Sequence, residues 1–228
     1  WEHHEGRHGE LDERTQLDVV RQALERYDQV HPSLARHDPR FPEASALESV
    51  LKRGHVRIPQ PVEGDPSEVV GRIIGEGRDT EGSRWLIDLA DRDDPRPLNV
   101  CLWGGCATLA QALWRVRQTR DDAGVAKFLS RLRVHSIHDQ DDTGPWIRET
   151  FPELFYVLSF ARDGDKLHSC YRGMFLDGDE SMTALQWLDA HVRTGHGPLG
   201  AWYPAKTWTA SNPHGALKEG DTPSWFYF

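Results

Sequence analysis

The amino-acid sequence predicts an α/β fold with a mostly parallel sheet and helices on both of its faces. Short apolar segments alternate with amphipathic segments along the 228 residues, and this alternation is typical of parallel sheets covered by crossover helices. Hydrophobic residues make up 38% of the chain and charged residues 28%, which indicates a globular protein with a substantial core. No linker or internal repeat interrupts the pattern, so residues 1–228 are predicted to form one domain.

The N-terminal part of the chain predicts two helices and long loops. Residues 1–13 are polar and rich in histidine, which favours a solvated loop over a metal site. Apolar residues three or four apart predict a helix over 15–30, and Pro32 predicts its end. A second helix is predicted over 43–53, and frequent glycine and proline predict mainly loop from 56 to 82.

Strands and helices alternate in the rest of the chain. The apolar run that ends before Gly104 has the composition of a strand buried on both faces of a parallel sheet. Helical spacing of apolar residues follows that run directly. The predicted strands cover 97–103, 133–137 and 155–160, and the predicted helices cover 83–92, the segment after 105, 123–132, 145–149 and 181–192.

Charge and composition exclude several classes of function. The formal net charge of −9 argues against a nucleic-acid partner, because such partners are bound through Lys and Arg. No apolar run approaches the roughly 20 residues that cross a bilayer, so no membrane association is expected. Cys101, Cys106 and Cys170 lack the spacing of a zinc site. One disulfide within the chain remains possible, and the number of cysteines does not decide the cellular compartment.

Ligands of parallel sheets bind beyond the carboxyl ends of the strands, which selects two loops of this sequence. The first is the Gly-Gly turn that leads from Trp103 to Ala107, where the backbone can approach a ligand. The second contains Asp139, Asp141 and Asp142, whose carboxylates repel one another unless they are solvated, protonated or bound to a cation. An exposed acidic loop, a calcium site and a site for sugar hydroxyls all remain open for it.

Other candidates lie outside these two loops. Asp79 and Glu81 precede a predicted helix, where Thr80 or Ser83 suits a helix cap. Glu219 and Asp221 form an acidic turn before a proline near the C-terminus. The nine tryptophans fit core packing, while one or two of them, such as an exposed Trp103 or Trp146, would stack on a sugar ring.

Several motifs of the sequence occur in an order that is typical of one family. They are Asp94-Pro95-Arg96-Pro97-Leu98, Trp103-Gly104-Gly105, Thr108-Leu109-Ala110-Gln111-Ala112-Leu113-Trp114, Asp139-Gln140-Asp141-Asp142-Thr143-Gly144-Pro145-Trp146-Ile147-Arg148, Phe151-Pro152, Gly197-Pro198-Leu199-Gly200-Ala201, Tyr203-Pro204 and Glu219-Gly220-Asp221-Thr222-Pro223-Ser224. With these motifs the chain resembles, from about residue 15 to the C-terminus, the nucleoside-hydrolase-like domain found in proteins labelled cellulose-binding.

The resemblance implies an inosine–uridine nucleoside hydrolase fold with a Ca²⁺ ion at the carboxyl edge of the sheet. Asp221 matches the family's last metal-ligating Asp, and the backbone carbonyl of Ala107 or its neighbour matches a further ligand. The family's N-terminal strand and Asp cluster, which supply the other ligands and the general base, are expected upstream of Trp1. Gly220 stands where the classical hydrolases have His, which weakens a prediction of nucleoside specificity.

Three functions are compared on this basis. In the first, water activated by calcium and a carboxylate attacks an anomeric carbon, with Asp139, Asp141 and Asp142 as acid–base or sugar-contacting candidates and Asp79, Glu81, Trp103, Trp146 and Glu219 as substrate contacts. In the second, the chain binds a carbohydrate without catalysis. A structural module is the third, and it leaves the clustered carboxylates unexplained. A sugar or nucleoside ligand and a secreted location are favoured, and a homo-oligomer is left open.

Overall fold

A computed structural model describes residues 3–4, 13–55, 57–58, 68–163, 166–169, 180–182 and 184–203, with side chains for 17–55, 68–159, 181–182 and 184–203. The strands are β1 (His3–His4), β2 (Arg57–Ile58), β3 (Leu98–Leu102), β4 (Leu132–Ser136), β5 (Phe155–Leu158), β6 (Phe160–Asp163) and β7 (Lys166–Ser169). The helices are α1 (Glu13–His37), α2 (Ala44–Val50), α3 (Val69–Arg72), α4 (Glu81–Ala90), α5 (Ala107–Thr119), α6 (Asp122–Ser130), α7 (Thr143–Thr150), α8 (Leu185–Leu188) and α9 (Gly197–Trp202), with a 3-10 turn (Glu180–Met182) and a π-helix (Asp189–Arg193).

The predicted α/β class is confirmed by a parallel sheet in the order β3-β4-β5. Leu102 pairs with Ser136 and Ser136 with Leu158, so the three strands end at one edge. The central strand β4 is buried at every position except Arg133, and its buried positions include the polar residues His135 and Ser136. Strands β1 and β2 form a separate parallel pair, and β6 and β7 form an antiparallel pair.

The chain divides into two compact units. The first contains residues 1–10, 52–170 and 221–228, and the second contains 11–51 and 171–220. The prediction of a single domain stays a prediction.

The first unit has a hydrophobic core built mainly from α5, the sheet and the helices around them. Residues 109–113 of helix α5 are all buried, so this part of the helix is enclosed on every side, and α6 and α7 supply further apolar side chains. Segment 68–79, predicted as loop, also enters this core through buried Val69, Ile73 and Ile74. The buried members are Val69, Ile73, Ile74, Ala90, Cys106, Ala107, Leu109, Ala110, Leu113, Val116, Phe128, Leu129, Leu132, Val134, Trp146, Ile147, Phe151 and Leu154.

Helix α1 of the second unit is longer than the sequence predicts. It continues through Pro32 to His37, so the predicted exit at Pro32 is wrong. Pro32 lies on the exposed side of the helix, where the carbonyl that loses its N–H partner can be solvated. The buried ring of His31 contacts the carbonyl of Phe41 at 3.0 Å and holds the chain that leaves the helix. None of the described helices is both long and apolar enough to cross a bilayer.

Candidate functional site

The loops after β3 and β4 meet at the carboxyl edge of the three-stranded sheet. The loop after β3 carries Trp103, whose side chain is 48% exposed, and leads through Gly104 and Gly105 into α5. The loop after β4 spans residues 137–142 and leads into α7. Gln140 Nε2 donates a hydrogen bond to the carbonyl of Trp103 at 3.5 Å, so the two loops are in contact. The backbone of exposed Trp103 is therefore in contact with the acidic loop.

Asp139 is held in a two-pronged ion pair. Arg148, which lies on α7, donates from Nη1 to Oδ1 of Asp139 at 2.8 Å and from Nη2 to Oδ2 at 2.7 Å. The Arg148 guanidinium also lies over the Tyr156 ring of β5, 5.4 Å from its centroid. Gly144 makes the pair possible, because a Cβ at that position would overlap Oδ1 of Asp139. The planar pair is fixed from three elements and offers both donors and acceptors to a polar ligand.

Asp142 is paired with an arginine from a different part of the chain. Arg72 Nη2 donates to Oδ2 of Asp142 at 2.5 Å, and both side chains are mostly buried. Arg72 is placed by its neighbours Val69 and Ile73, which are anchored in the core. The sequence separation of 70 residues explains why no local pattern predicted this pair.

Asp141 lies between these two carboxylates in sequence but is closed off from solvent. Its side chain is 4% exposed, and Oδ1 accepts hydrogen bonds from the Thr143 backbone at 2.9 Å and the Thr143 hydroxyl at 2.5 Å. Among the residues that the structure describes, Oδ2 has no hydrogen-bond partner. Burial raises the pKa of Asp141 above its usual value, and hydrogen bonds from Thr143 and from the Cys106 backbone oppose that rise. Asp141 therefore differs in environment from Asp139 and Asp142.

A buried polar pair connects the start of α5 with strand β5. The Cys106 thiol is 3.4 Å from the Tyr156 hydroxyl, and Cys106 is almost fully buried. Burial raises the pKa of Tyr156 well above its usual range, so this hydroxyl stays protonated. Sequence reasoning treated neither residue as part of the site, because a single Cys and a strand Tyr carry no local signal of their partnership.

Asp79 belongs to a second network, centred on Gln111 of α5. Gln111 is 0% exposed and donates from Nε2 to Asp79 Oδ1 at 2.6 Å, while Arg115 Nη2 lies 2.8 Å from Asp79 Oδ2. Burial raises the pKa of Asp79, but the bonds from Arg115 and Gln111 outweigh it and leave the pKa below its usual value. Gln111 also bonds both backbone groups of Gly75. The network fixes segment 75–79 on α5.

Glu81 also contacts another segment of the fold. It is the first residue of α4, its side chain is well exposed, and Oε2 accepts from the Arg53 backbone at 3.2 Å. Thr80 and Ser83 form the reciprocal cap of α4, with bonds of 3.0 and 2.9 Å, as the alternative interpretation of these hydroxyls predicted. The contacts described for Asp79 and Glu81 thus organise the fold, and their roles in substrate binding stay predictions.

One of the predicted positions needs correction. Trp146 was expected to be exposed but is 7% exposed, and it packs edge-to-face against Phe151 at 5.7 Å because its side of α7 faces the core. Ala107 is the first residue of α5. The role of its carbonyl, or of a neighbouring one, as a metal ligand stays a prediction.

The described residues do not by themselves fit a calcium ion. Among them, no group of three or more His, Cys, Asp or Glu side chains is arranged to hold a metal. Asp139 and Asp142 each direct their oxygens to an arginine, and Asp141 is enclosed. Glu219 and Asp221 lie outside the described residues, so the calcium site predicted around Asp221 stays a prediction.

Comparison with known proteins agrees with this architecture. A family model described as "Cellulose-binding Sde182, nucleoside hydrolase-like domain" matches residues 5–228. A solved structure of a nucleoside hydrolase-related hypothetical protein from Saccharophagus degradans, associated with carbohydrate metabolism, is similar with a TM-score of 0.68 and 33% identity. The match covers 91% of this chain and 42% of that chain. No curated protein sequence matches.

Proposed function

The chain belongs to the nucleoside hydrolase-like domain family of cellulose-binding Sde182, and we propose that it binds a carbohydrate at the carboxyl edge of its three-stranded sheet. The observation that carries the proposal is the contact between the loop of exposed Trp103 and the acidic loop 137–142. An indole face suits the apolar face of a sugar ring, and the neighbouring polar groups suit its hydroxyls.

The two carboxylate–arginine pairs suit recognition of a neutral polyhydroxylated ligand. In each pair, Asp139 with Arg148 and Asp142 with Arg72, the two opposite charges compensate one another. Each carboxylate has lone pairs left for a hydroxyl donor, and each guanidinium has N–H groups left for a hydroxyl acceptor. Because the pairs are already formed, a sugar would meet oriented groups and would not have to order them.

Binding to a cello-oligosaccharide tests the proposal. Trp103→Ala should weaken the binding of cellotetraose at least tenfold in titration calorimetry, which corresponds to about 1.4 kcal/mol. Trp85→Ala is the matched control, because Trp85 lies on α4 between Lys52 and Arg92, 5.1 and 4.9 Å from its ring. Equal affinities of wild type and Trp103→Ala would show that the indole is not part of the binding site. If the wild type does not bind cellotetraose, the proposal that the chain binds this carbohydrate is wrong.

Hydrolysis of a glycosidic bond is the second candidate function, favoured by the nucleoside hydrolase-like family and by the acidic loop. Water would attack the anomeric carbon, its proton would pass to a carboxylate, and the leaving group would take a proton as the glycosidic bond breaks. Asp139 and Asp142 are less buried than Asp141, but Asp139 bonds Arg148 through both of its oxygens and Asp142 bonds Arg72 through Oδ2. The geometry therefore supports binding better than proton transfer.

Product analysis separates the two functions. Chromatography of cellotetraose and of uridine after incubation with the protein should show both compounds unchanged if the chain only binds. Time-dependent release of glucose, cello-oligosaccharides, ribose or uracil, lost in Asp139→Asn, would establish hydrolysis and make Asp139 part of its machinery.

A further inference from the structure

The aromatic ring of Tyr156 is fixed by contacts outside the candidate site. Its backbone lies in β5, where Tyr156 is paired with Val134 of the buried central strand. The ring packs against the hydrophobic core, and its hydroxyl is 3.4 Å from the Cys106 thiol at the start of α5. Sheet pairing, core packing and this polar contact together leave the ring little freedom to move.

The Asp139–Arg148 pair lies against this ring. The guanidinium carbon of Arg148 is over the ring, 5.4 Å from its centroid, while Nη1 and Nη2 bond the two oxygens of Asp139. A planar guanidinium can make both contacts at once, because stacking uses its face and hydrogen bonding uses its edge. The side chains of Arg148 and Asp139 are 32% and 26% exposed, so a ligand can still reach the pair.

The ring supplies a rigid surface that the pair lacks by itself. Asp139 belongs to the loop after β4, and Arg148 is a long side chain with several rotatable bonds. Charge alone holds a pair of this exposure weakly, because water screens it. A guanidinium that rests on a fixed ring has fewer orientations to lose when a ligand binds, which favours binding.

We propose that Tyr156 is a positioning residue of the carbohydrate site: its ring orients the Arg148 guanidinium, and through it the Asp139 carboxylate, for contact with sugar hydroxyls. For its ligand the inference rests on the proposed function. The ring is the part of Tyr156 that acts on Arg148, since the hydroxyl contacts the Cys106 thiol.

A second aspartate–arginine pair on an aromatic ring provides a matched control. Arg120 donates from Nη1 and Nη2 to the two oxygens of Asp91 at 2.8 and 2.5 Å and lies over the Phe128 ring, 5.3 Å from its centroid. Asp91 and Arg120 are the C-cap residues of α4 and α5, and Phe128 is on α6, so none of them belongs to the loops after β3 and β4. Phe128→Leu therefore removes a buried ring under an arginine away from these loops.

Titration calorimetry with cellotetraose compares Tyr156→Leu, Tyr156→Phe and Phe128→Leu with wild type, at a temperature at which circular dichroism shows each protein to be folded. Tyr156→Leu should bind about fivefold to tenfold more weakly, which is the loss that one cation–π contact supports. Tyr156→Phe keeps the ring and should bind within about twofold of wild type, as should Phe128→Leu.

The Nε–H signal of Arg148 in nuclear magnetic resonance, assigned with Arg148→Lys, reports the stacking directly. The ring current of an aromatic side chain shifts a proton above its face upfield. The signal should show this shift in wild type and in Tyr156→Phe, and should lose it in Tyr156→Leu. Saturating cellotetraose should also move the wild-type signal, because the ligand contacts the pair.

The inference is overturned if Tyr156→Leu binds like wild type, or if Tyr156→Phe or Phe128→Leu loses as much affinity as Tyr156→Leu. If Tyr156→Leu does not fold, wild type decides: an Arg148 signal without the ring-current shift, or one that cellotetraose does not move, overturns the inference. If wild type does not bind cellotetraose, the proposed function fails, and the ring-current shift alone decides whether Tyr156 orients the pair.

Discussion

Replacing Gln111 with leucine tests how segment 75–79 is held on α5. The fully buried amide of Gln111 accepts from the Gly75 N–H at 2.8 Å and donates to the Gly75 carbonyl at 3.0 Å and to Asp79 at 2.6 Å. Gly75 is itself buried, so water cannot readily replace the amide as the partner of its backbone N–H and carbonyl. Gln111→Leu therefore leaves both buried backbone groups of Gly75 unpaired.

The magnitude follows from these three bonds. Each unpaired buried backbone group costs about 1–3 kcal/mol, and the additional apolar surface of leucine offsets roughly 1–2 kcal/mol of the total. We expect the free energy of unfolding to fall by about 2–4 kcal/mol. For a chain of this length that corresponds to a melting temperature lower by roughly 5–15 °C.

Urea and thermal denaturation followed by circular dichroism measure this change. Gln118→Leu is the matched control, because Gln118 lies on the exposed side of the same helix and should change stability by less than about 0.5 kcal/mol. If Gln111→Leu is as stable as this control, the hydrogen bonds of Gln111 do not hold segment 75–79, and the reasoning is refuted.

Three further predictions follow from the site. Because burial raises the pKa of Asp141 in the folded state, wild-type stability should increase as the pH falls from that raised pKa toward the unfolded value of about 3.9, and Asp141→Asn should lack this increase in melts between pH 4 and 8. Gly144→Ala should gain helix propensity yet lose affinity for cellotetraose, because the new Cβ displaces Asp139 from Arg148; unchanged affinity would mean that the pair does not contribute to binding. In calcium titration calorimetry, Asp221→Ala should remove the binding that the family resemblance implies, whereas Asp139→Asn should not, and a wild type that binds no calcium would contradict the predicted metal site.

The pattern of apolar residues was sufficient to predict the fold class and the edge of the sheet at which the two candidate loops meet. The runs at 97–103 and 133–137 became β3 and β4, although β3 is only partly buried and the buried positions of β4 include His135 and Ser136. The rule for parallel sheets then selected the loops after these strands, and both loops do meet at one edge. The family resemblance, carried by motifs in those loops, agrees with the comparisons.

The tertiary structure decided which acidic residues are accessible and which are structural. Asp139, Asp141 and Asp142 are nearly adjacent in sequence, but one pairs with α7, one is enclosed, and one pairs with Arg72, 70 residues away. Trp146 likewise became a core residue because of the face of α7 on which it lies.

Local pattern could not predict these differences, because an aspartate has the same propensity whether a distant arginine, the protein interior or water surrounds it. Hydrophobic periodicity therefore determined the fold class and the location of the site. The burial and charge pairing of each carboxylate depended on contacts between segments far apart in sequence, and only the packed chain brings those segments together.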